Sequence, residues 1–364
     1  MARSLAINSR YHYNDGTMKT YNVGVLGATG AVGREMLKIL EERKFPVGEL
    51  RPLASARSVG KKLKFNGKDV EVQEAKIGAF KGLDIVLGAA ANPVAIEFKD
   101  DIVNSGAVFI DNSSAFRLDD DVPLVVPEIN KEDIFKNKGV IANPNCSTII
   151  TLMAVKGINK LSKITAMNAA TYQATSGAGI NGPIELFEQM GALYDEYKAT
   201  GAIPNKGKNI NSKVFQYQIA GNVIPHISSA LDNGYTKEEM KMQNEGRKIM
   251  HLPELKVTCT CVRVPVVRSH SIAVTVYTEK PLEVEAVKAQ IAKEQGCKLY
   301  DDLENKIYPM PIVTSDQDIT YVGRIRKDLI SDNGITLWCC GDQVRKGAAT
   351  NAVQIALAYA GLDF

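Results

Sequence analysis

Hydrophobic and polar positions alternate in blocks along this chain, and the blocks change character midway. Val23 to Leu26 is a short apolar run with the length of a buried strand. It passes into Gly27-Ala28-Thr29-Gly30-Ala31-Val32-Gly33, after which Val32 to Arg43 carries Met36, Leu37 and Leu40 at helical spacing. Further buried strands are predicted at Leu50–Ala54, Ile85–Leu87, Val108–Ile110 and Val140–Ala142, with a helix over Val94–Val103. Strands alternating with helices imply a Rossmann-type, doubly wound parallel sheet. Beyond Cys146 the pattern shifts. Val257–Val264 and Ser271–Tyr277 read as longer, β-branched strands, joined by Ile319–Ile325 and Gly334–Cys340. Strands and helices without strict alternation predict an α+β domain with a mainly antiparallel or mixed sheet. Asn205 to Ser212 reads as a polar loop, and Ala348–Gly361 as a small-residue helix that returns to the first domain. The expected division is a 1–20 extension, a nucleotide-binding domain over 21–145 completed by 341–364, and a catalytic and dimerisation domain over 146–340.

Composition narrows the class. At 364 residues the chain exceeds one typical core. Hydrophobic residues make up 45% and charged residues 23%, as in ordinary globular proteins. A formal net charge of +3, with basic residues spread along the chain, gives no reason to expect nucleic acid or a membrane surface as partner. No stretch approaches the roughly 20 apolar residues of a membrane span. The first twenty residues lack the apolar core of a secretory signal and read as an extension, a targeting remnant or a cloning scar, with Met18 just ahead of the first strand. None of the six cysteines forms a C-x-x-C pair, so no metal site is expected and a cytoplasmic, reducing compartment fits. Cys259 and Cys261 would share one strand face, while Cys339 and Cys340 would face opposite ways, all four as small buried hydrophobes.

Two segments carry chemistry. In the glycine turn, Gly27, Thr29, Gly30, Ala31, Val32 and Gly33 follow a strand and open a helix. There the small residues and the helix N-terminus suit a dinucleotide pyrophosphate. After the second strand stands Ala54-Ser55-Ala56-Arg57-Ser58, with no acid. Arg57 and Ser58 suit a 2′-phosphate, which favours NADP over NAD, against the simpler reading of Arg57 as a solvated loop residue. The second segment is Asn143-Pro144-Asn145-Cys146-Ser147-Thr148, between a buried strand and the apolar run Ile149 to Val155. A thiol at a helix N-terminus gains a dipole that lowers its pKa and N–H groups that hold an oxyanion, so Cys146 is the candidate nucleophile. Of four histidines, His270 follows Arg263 by seven residues across an apparent turn and is the candidate acid/base.

In these residues the chain resembles the aspartate-semialdehyde dehydrogenases, particularly their bacterial-type branch. The resemblance runs from about Tyr21 to the C-terminus and rests on GATGAVG, SSAFR, NPNCST, YQATSGAG, EEMK, RVPVVRSH and KGAATNAVQIA in that order. It implies Cys146 as nucleophile, Gln173 as the group orienting the reaction centre and His270 as acid/base. It also implies Arg263 on the substrate carboxylate, Glu238 on its amino group, Arg117 and Lys241 on phosphate, and Asn145 beside them. Ser176 and Gly177 fall to the cofactor, and a homodimer or homotetramer is expected. The implied reaction is the NADPH-dependent reduction of aspartyl phosphate to aspartate semialdehyde through a Cys146 thioester, a step in the biosynthesis of lysine, threonine, methionine and diaminopimelate. The nearest alternative is an N-acetyl-γ-glutamyl-phosphate reductase, whose acylated amine has no use for Glu238. A glyceraldehyde-phosphate type dehydrogenase, a cysteine hydrolase and a non-catalytic nucleotide-binding protein on the same fold are further alternatives.

Overall fold

The computed structural model describes residues 19–208 and 210–364, so the expected extension lies outside the described residues except for its last two positions. The chain builds β1 (Tyr21–Leu26), α1 (Ala31–Glu42), β2 (Val47–Ala54), β3 (Lys62–Phe65), β4 (Lys68–Glu71), β5 (Gln73–Glu74), β6 (Ile85–Gly88), α2 (Asn92–Asn104), β7 (Val108–Asp111), α3 (Pro127–Asn130) and β8 (Val140–Ala142). Then come α4 (Cys146–Leu161), β9 (Ile164–Gln173), α5 (Asn181–Thr200), α6 (Lys237–Met250), β10 (Lys256–Arg263), β11 (His270–Thr278), α7 (Val284–Ile291), β12 (Cys297–Leu299), α8 (Pro311–Thr314), β13 (Thr320–Lys327), β14 (Gly334–Gly341) and α9 (Thr350–Tyr359). None of the described helices is long and apolar enough to cross a membrane.

The first sheet has the order β5-β2-β1-β6-β7-β8. All five of its pairings are parallel. Order reverses beside β1, which opens a crevice at its C-terminal end, where the glycine turn lies. One face of this sheet shares a core with α1 and α9, including Val23, Val25, Met36, Leu40, Ala352, Val353 and Ala356. The terminal segment therefore returns to the first sheet. It begins as a π turn over Arg345–Ala349, and the α-helix proper starts only at Thr350, later than the apolar pattern suggests.

The second sheet runs β10-β9-β11-β14-β13-β12 and is mixed. β9 pairs parallel with β10 and antiparallel with β11. One face packs Met167, Ala169, Ile272, Val274, Leu337 and Cys339 into a core with α4 and α6. Cys259 and Cys261 point into that core with Sγ atoms 3.8 Å apart. Cys340 turns the other way and meets Ser271 Oγ and Thr314 Oγ1. β9, central to this sheet, is missed by the sequence reading because its alternating stretch Asn168-Ala169-Ala170-Thr171 is small and polar. The amphipathic α5 is missed as well.

Candidate functional site

The glycine turn is as tight as its sequence requires. Gly27 has φ +83, and a Cβ there would lie 2.7 Å from the carbonyl oxygen of Ala89. A Cβ on Gly33 would lie 2.3 Å from the carbonyl oxygen of Gly27, so helix and turn touch backbone to backbone. No side chain caps α1 at Gly30, and its first turn holds no acid. That leaves the first-turn N–H groups at Ala31 and Val32 without a capping side chain, the arrangement in which a helix N-terminus favours an anion. Arg57 and Ser58 follow β2 in a 3-10 turn, Arg57 exposed and Ser58 buried. This half of the crevice fits a nicotinamide dinucleotide by its backbone approach and its lack of competing carboxylates.

The nucleophile corner begins where β8 ends. Asn143 is fully buried, and its amide donates to Asn112 Oδ1 at 2.6 Å and to the Ala348 carbonyl at 3.2 Å. Asn351 Nδ2 donates back to Asn143 Oδ1 at 2.6 Å, which ties this corner to α9. Asn145 is the N-cap of α4, its Oδ1 accepting from the Thr148 N–H at 3.1 Å. The helix starts at Cys146 itself, three residues before the apolar run that marked it in the sequence. A Cβ on Gly347 would come within 3.0 Å of Cys146 Cβ, so the π turn packs directly on Cys146.

Glu238 organises the next layer. Its Oε1 accepts from Asn145 Nδ2 at 2.9 Å and Gln173 Nε2 at 3.2 Å, and its Oε2 from Lys241 Nζ at 2.8 Å. The Glu238–Lys241 pair is therefore no surface ion pair, since Glu238 is only 8% exposed. Burial works to raise its carboxyl, but Lys241, Asn145 and Gln173 prevail and hold it at about 2. Arg117 and Lys241 line one cavity of about 230 Å³ together with Ser114, Lys237 and Asn244. Arg117 is itself clamped: Nε donates to the Asn143 carbonyl, Nη2 to the Asn112 carbonyl, both at 2.9 Å, and Nη1 to Glu245 at 3.0 Å.

His270 opens β11 and is fully buried. Its Nδ1 accepts from the Ala174 N–H at 3.0 Å, while Nε2 has no protein partner. Arg263 Nη1 donates to the Ala174 carbonyl at 2.5 Å, so one residue after Gln173 anchors both. A Cβ on Gly177 would lie 2.7 Å from Arg263 Nη1 and 3.2 Å from His270 Nε2, and only glycine leaves that space open. Beside it, Ser176 Oγ accepts from Gln343 Nε2, and Gln343 Oε1 accepts from the Ser269 N–H at 2.8 Å.

The charges correct one expectation. A helix N-terminus predicted a lowered thiol pKa, yet Cys146 is pushed up to about 11. Burial is the main cause and the Glu238 carboxylate the next; together they outweigh Lys241, Arg263 and Arg117. His270 is pulled down to about 3 by burial and by Arg263, against Glu238. Contacts gather these residues: Glu238 bonds Asn145, next to Cys146, and Gln173, while Ala174, next to Gln173, bonds both Arg263 and His270. Arg57 and Ser58 stand apart on the β2 side of the crevice. Sequence reasoning missed Glu245, Gln343 and Gly347. Glu245 left a faint signal, two helical turns after Glu238 on the same face; nothing in the sequence marks Gln343.

Comparison with known proteins agrees with this geometry. Residues 22–137 match the semialdehyde dehydrogenase NAD binding domain, and residues 155–346 match the semialdehyde dehydrogenase dimerisation domain. The aspartate-semialdehyde dehydrogenase of Campylobacter jejuni is 46% identical over 93% of this chain and 97% of its own. That of Bacillus subtilis is 45% identical over 92% and 96%. Among solved structures, aspartate semialdehyde dehydrogenase II from Vibrio cholerae complexed with ASA superposes with a TM-score of 0.88, at 43% identity over 93% of this chain and 98% of that one. The Candida albicans enzyme with NADP has a TM-score of 0.70 at 25% identity, over 94% of this chain and 99% of that one. With both family domains present in order and close relatives matched along nearly their whole length, the chain belongs to the aspartate-semialdehyde dehydrogenase family.

Proposed function

We propose that the protein reduces L-aspartyl 4-phosphate to L-aspartate 4-semialdehyde with NADPH through a thioester on Cys146. The observation that carries this reading is that a cavity lined by two cations, Arg117 and Lys241, adjoins an acid, Glu238, bonded to the residue before Cys146, with a separate cation, Arg263, beside His270 at Gly177. An acyl phosphate with a free α-amino acid end needs all four. Arg263 takes the carboxylate and Glu238 the ammonium, which an N-acetylated substrate would lack. Arg117 and Lys241 take the phosphate, the first through planar N–H pairs and the second as a point charge.

Cys146 Sγ attacks the acyl carbon, the phosphate leaves with its bonding electron pair, and the thioester remains. NADPH, bound through Gly27, Thr29, Gly30, Ala31, Val32, Gly33, Arg57, Ser58, Ser176 and Gly177, supplies the hydride. Collapse of the resulting tetrahedral species on Cys146 releases the aldehyde and the thiolate, which regains a proton. The sequence left His270 free to give or take this proton. Its geometry supports hydrogen-bond donation instead: Nδ1 is an acceptor, so the neutral ring carries its proton on Nε2, the atom that faces Gly177 without a partner and can hydrogen-bond the reacting oxygen, while solvent returns the proton to the thiol. Gln173 orients the centre through Glu238 and Asn145.

The division at Cys146 into a dinucleotide-binding part (21–145 with 341–364) and a catalytic and dimerisation part (146–340) belongs to the same reading. The outer face of the second sheet, with Tyr172 against Trp338 at 5.3 Å and Asn168 and Thr258 exposed, supports a homodimer. The six free cysteines fit a cytoplasmic enzyme. The test is the phosphate-dependent reverse reaction with aspartate semialdehyde, run with NADP and then NAD, alongside the N-acetylglutamate semialdehyde. Activity on the acetylated substrate alone would overturn the assignment, and turnover by Cys146→Ala would overturn the thioester.

A further inference from the structure

Helix α6 presents Glu238, Lys241, Glu245 and Lys248 at spacings of three and four, one continuous face toward the site. The first two belong to the site already described. The other two grip the loop that carries Arg117. Lys248 Nζ donates to the Arg117 carbonyl at 3.0 Å and to the Asp119 carbonyl at 2.7 Å. Glu245, with a side chain only 2% exposed, accepts from Arg117 Nη1 at 3.0 Å through Oε1. Its Oε2 accepts from the backbone N–H of Asn145, the residue before the nucleophile, at 2.7 Å. One carboxylate thus holds a cation of the phosphate cavity and the peptide that leads into Cys146.

We infer that Glu245 is a positioning residue of the reaction, fixing the Arg117 guanidinium and the Asn145–Cys146 corner in one geometry. The inference rests on the reading of Arg117 as a phosphate ligand. A guanidinium has five N–H donors. Three go to Glu245, Asn143 and Asn112, which leaves two in a direction these three contacts dictate. Without Glu245, the arginine keeps its charge but loses the contact that sets its rotation, and the peptide before Cys146 loses its acceptor. Glu245 borders the same cavity, but Arg117 and the Asn145 N–H occupy its two oxygens, so its effect passes through those two residues.

The test is the reverse assay on the full-length enzyme with inorganic phosphate, aspartate semialdehyde and NADP varied in turn. Glu245→Ala raises the KM for phosphate by about tenfold or more, in the range of interaction energies within one ion-pair network. The KM values for semialdehyde and NADP stay within about twofold, because Arg263 and the glycine turn bind those groups. Glu245→Gln, which keeps the side-chain volume and one hydrogen-bond acceptor, gives a smaller rise in the same direction, and stands in if the alanine variant does not fold. Adding either change to Arg117→Leu produces no further rise. A phosphate KM that is unchanged or lower, a parallel rise in all three KM values, or full additivity with Arg117→Leu overturns the inference. An Arg117→Leu enzyme with normal phosphate KM overturns the phosphate site itself, and this role of Glu245 with it.

Discussion

Asn145 and Glu238 meet over 2.9 Å, amide to carboxylate, one residue away from the candidate nucleophile. On the proposed roles of Glu238 and Cys146, the contact couples substrate recognition to thiol chemistry. The same carboxylate that is assigned to the substrate ammonium lifts the Cys146 pKa.

Glu238→Gln therefore lowers the thiol pKa below about 11, because it removes a negative charge that disfavours the thiolate. Alkylation of Cys146 at fixed pH below 9 becomes faster in this variant, while the KM for aspartate semialdehyde rises. The pH dependence of the iodoacetamide rate measures it. Slower alkylation, or an unchanged midpoint, would show that Glu238 does not set the thiol's charge state.

Arg57→Ala weakens NADP and spares NAD. Arg57 is exposed after β2 with no acid in its turn, as a 2′-phosphate requires. Losing a charge-assisted pair costs roughly 1.5–3 kcal/mol. Binding of the two cofactors, measured by fluorescence titration, checks the difference; equal losses would leave Arg57 with no part in reading the phosphate.

His270→Asn lowers kcat by roughly 10²–10³-fold with little change in substrate KM, as for loss of a placed hydrogen-bond donor to the reacting oxygen. Since His270 is held near about 3, it stays neutral from pH 5 upward, and no limb near the ordinary histidine pKa appears in the wild-type kcat profile. A kcat limb near pH 6.5 that vanishes in the variant would contradict the neutral tautomer.

Lys346 lies fully buried with its Nζ on Glu128 Oε2 at 2.6 Å, Asn351 at 2.9 Å and Gln354 at 2.7 Å. Lys346→Met leaves Glu128 buried and unpaired, which costs about 3–5 kcal/mol. Adding Glu128→Leu recovers much of that loss. Urea unfolding of the single and double variants decides the matter, and a single variant within about 1 kcal/mol of wild type would refute it.

By itself the sequence determined the parts whose cause is local. The run Val23–Leu26, the glycine turn and the Met36-Leu37-Leu40 stripe specify strand, turn and helix because period and backbone freedom act over a few residues. The Asn-Pro-Asn-Cys corner marked the candidate nucleophile for the same reason, and the motif series carried the family. Local signals could not disclose β9, whose small residues take their place by pairing with β10 and β11, or α5. Tertiary structure alone decided the charge states. Cys146 owes its raised pKa first to burial and then to Glu238, far along the chain, neither of which a helix N-terminus reveals. It also decided the protonated nitrogen of His270, through the Ala174 N–H, and brought Glu245 onto Arg117 and Gly347 onto Cys146. Such contacts join segments up to two hundred residues apart, and their strength comes from excluding water, a property of the packed molecule that no stretch of sequence contains.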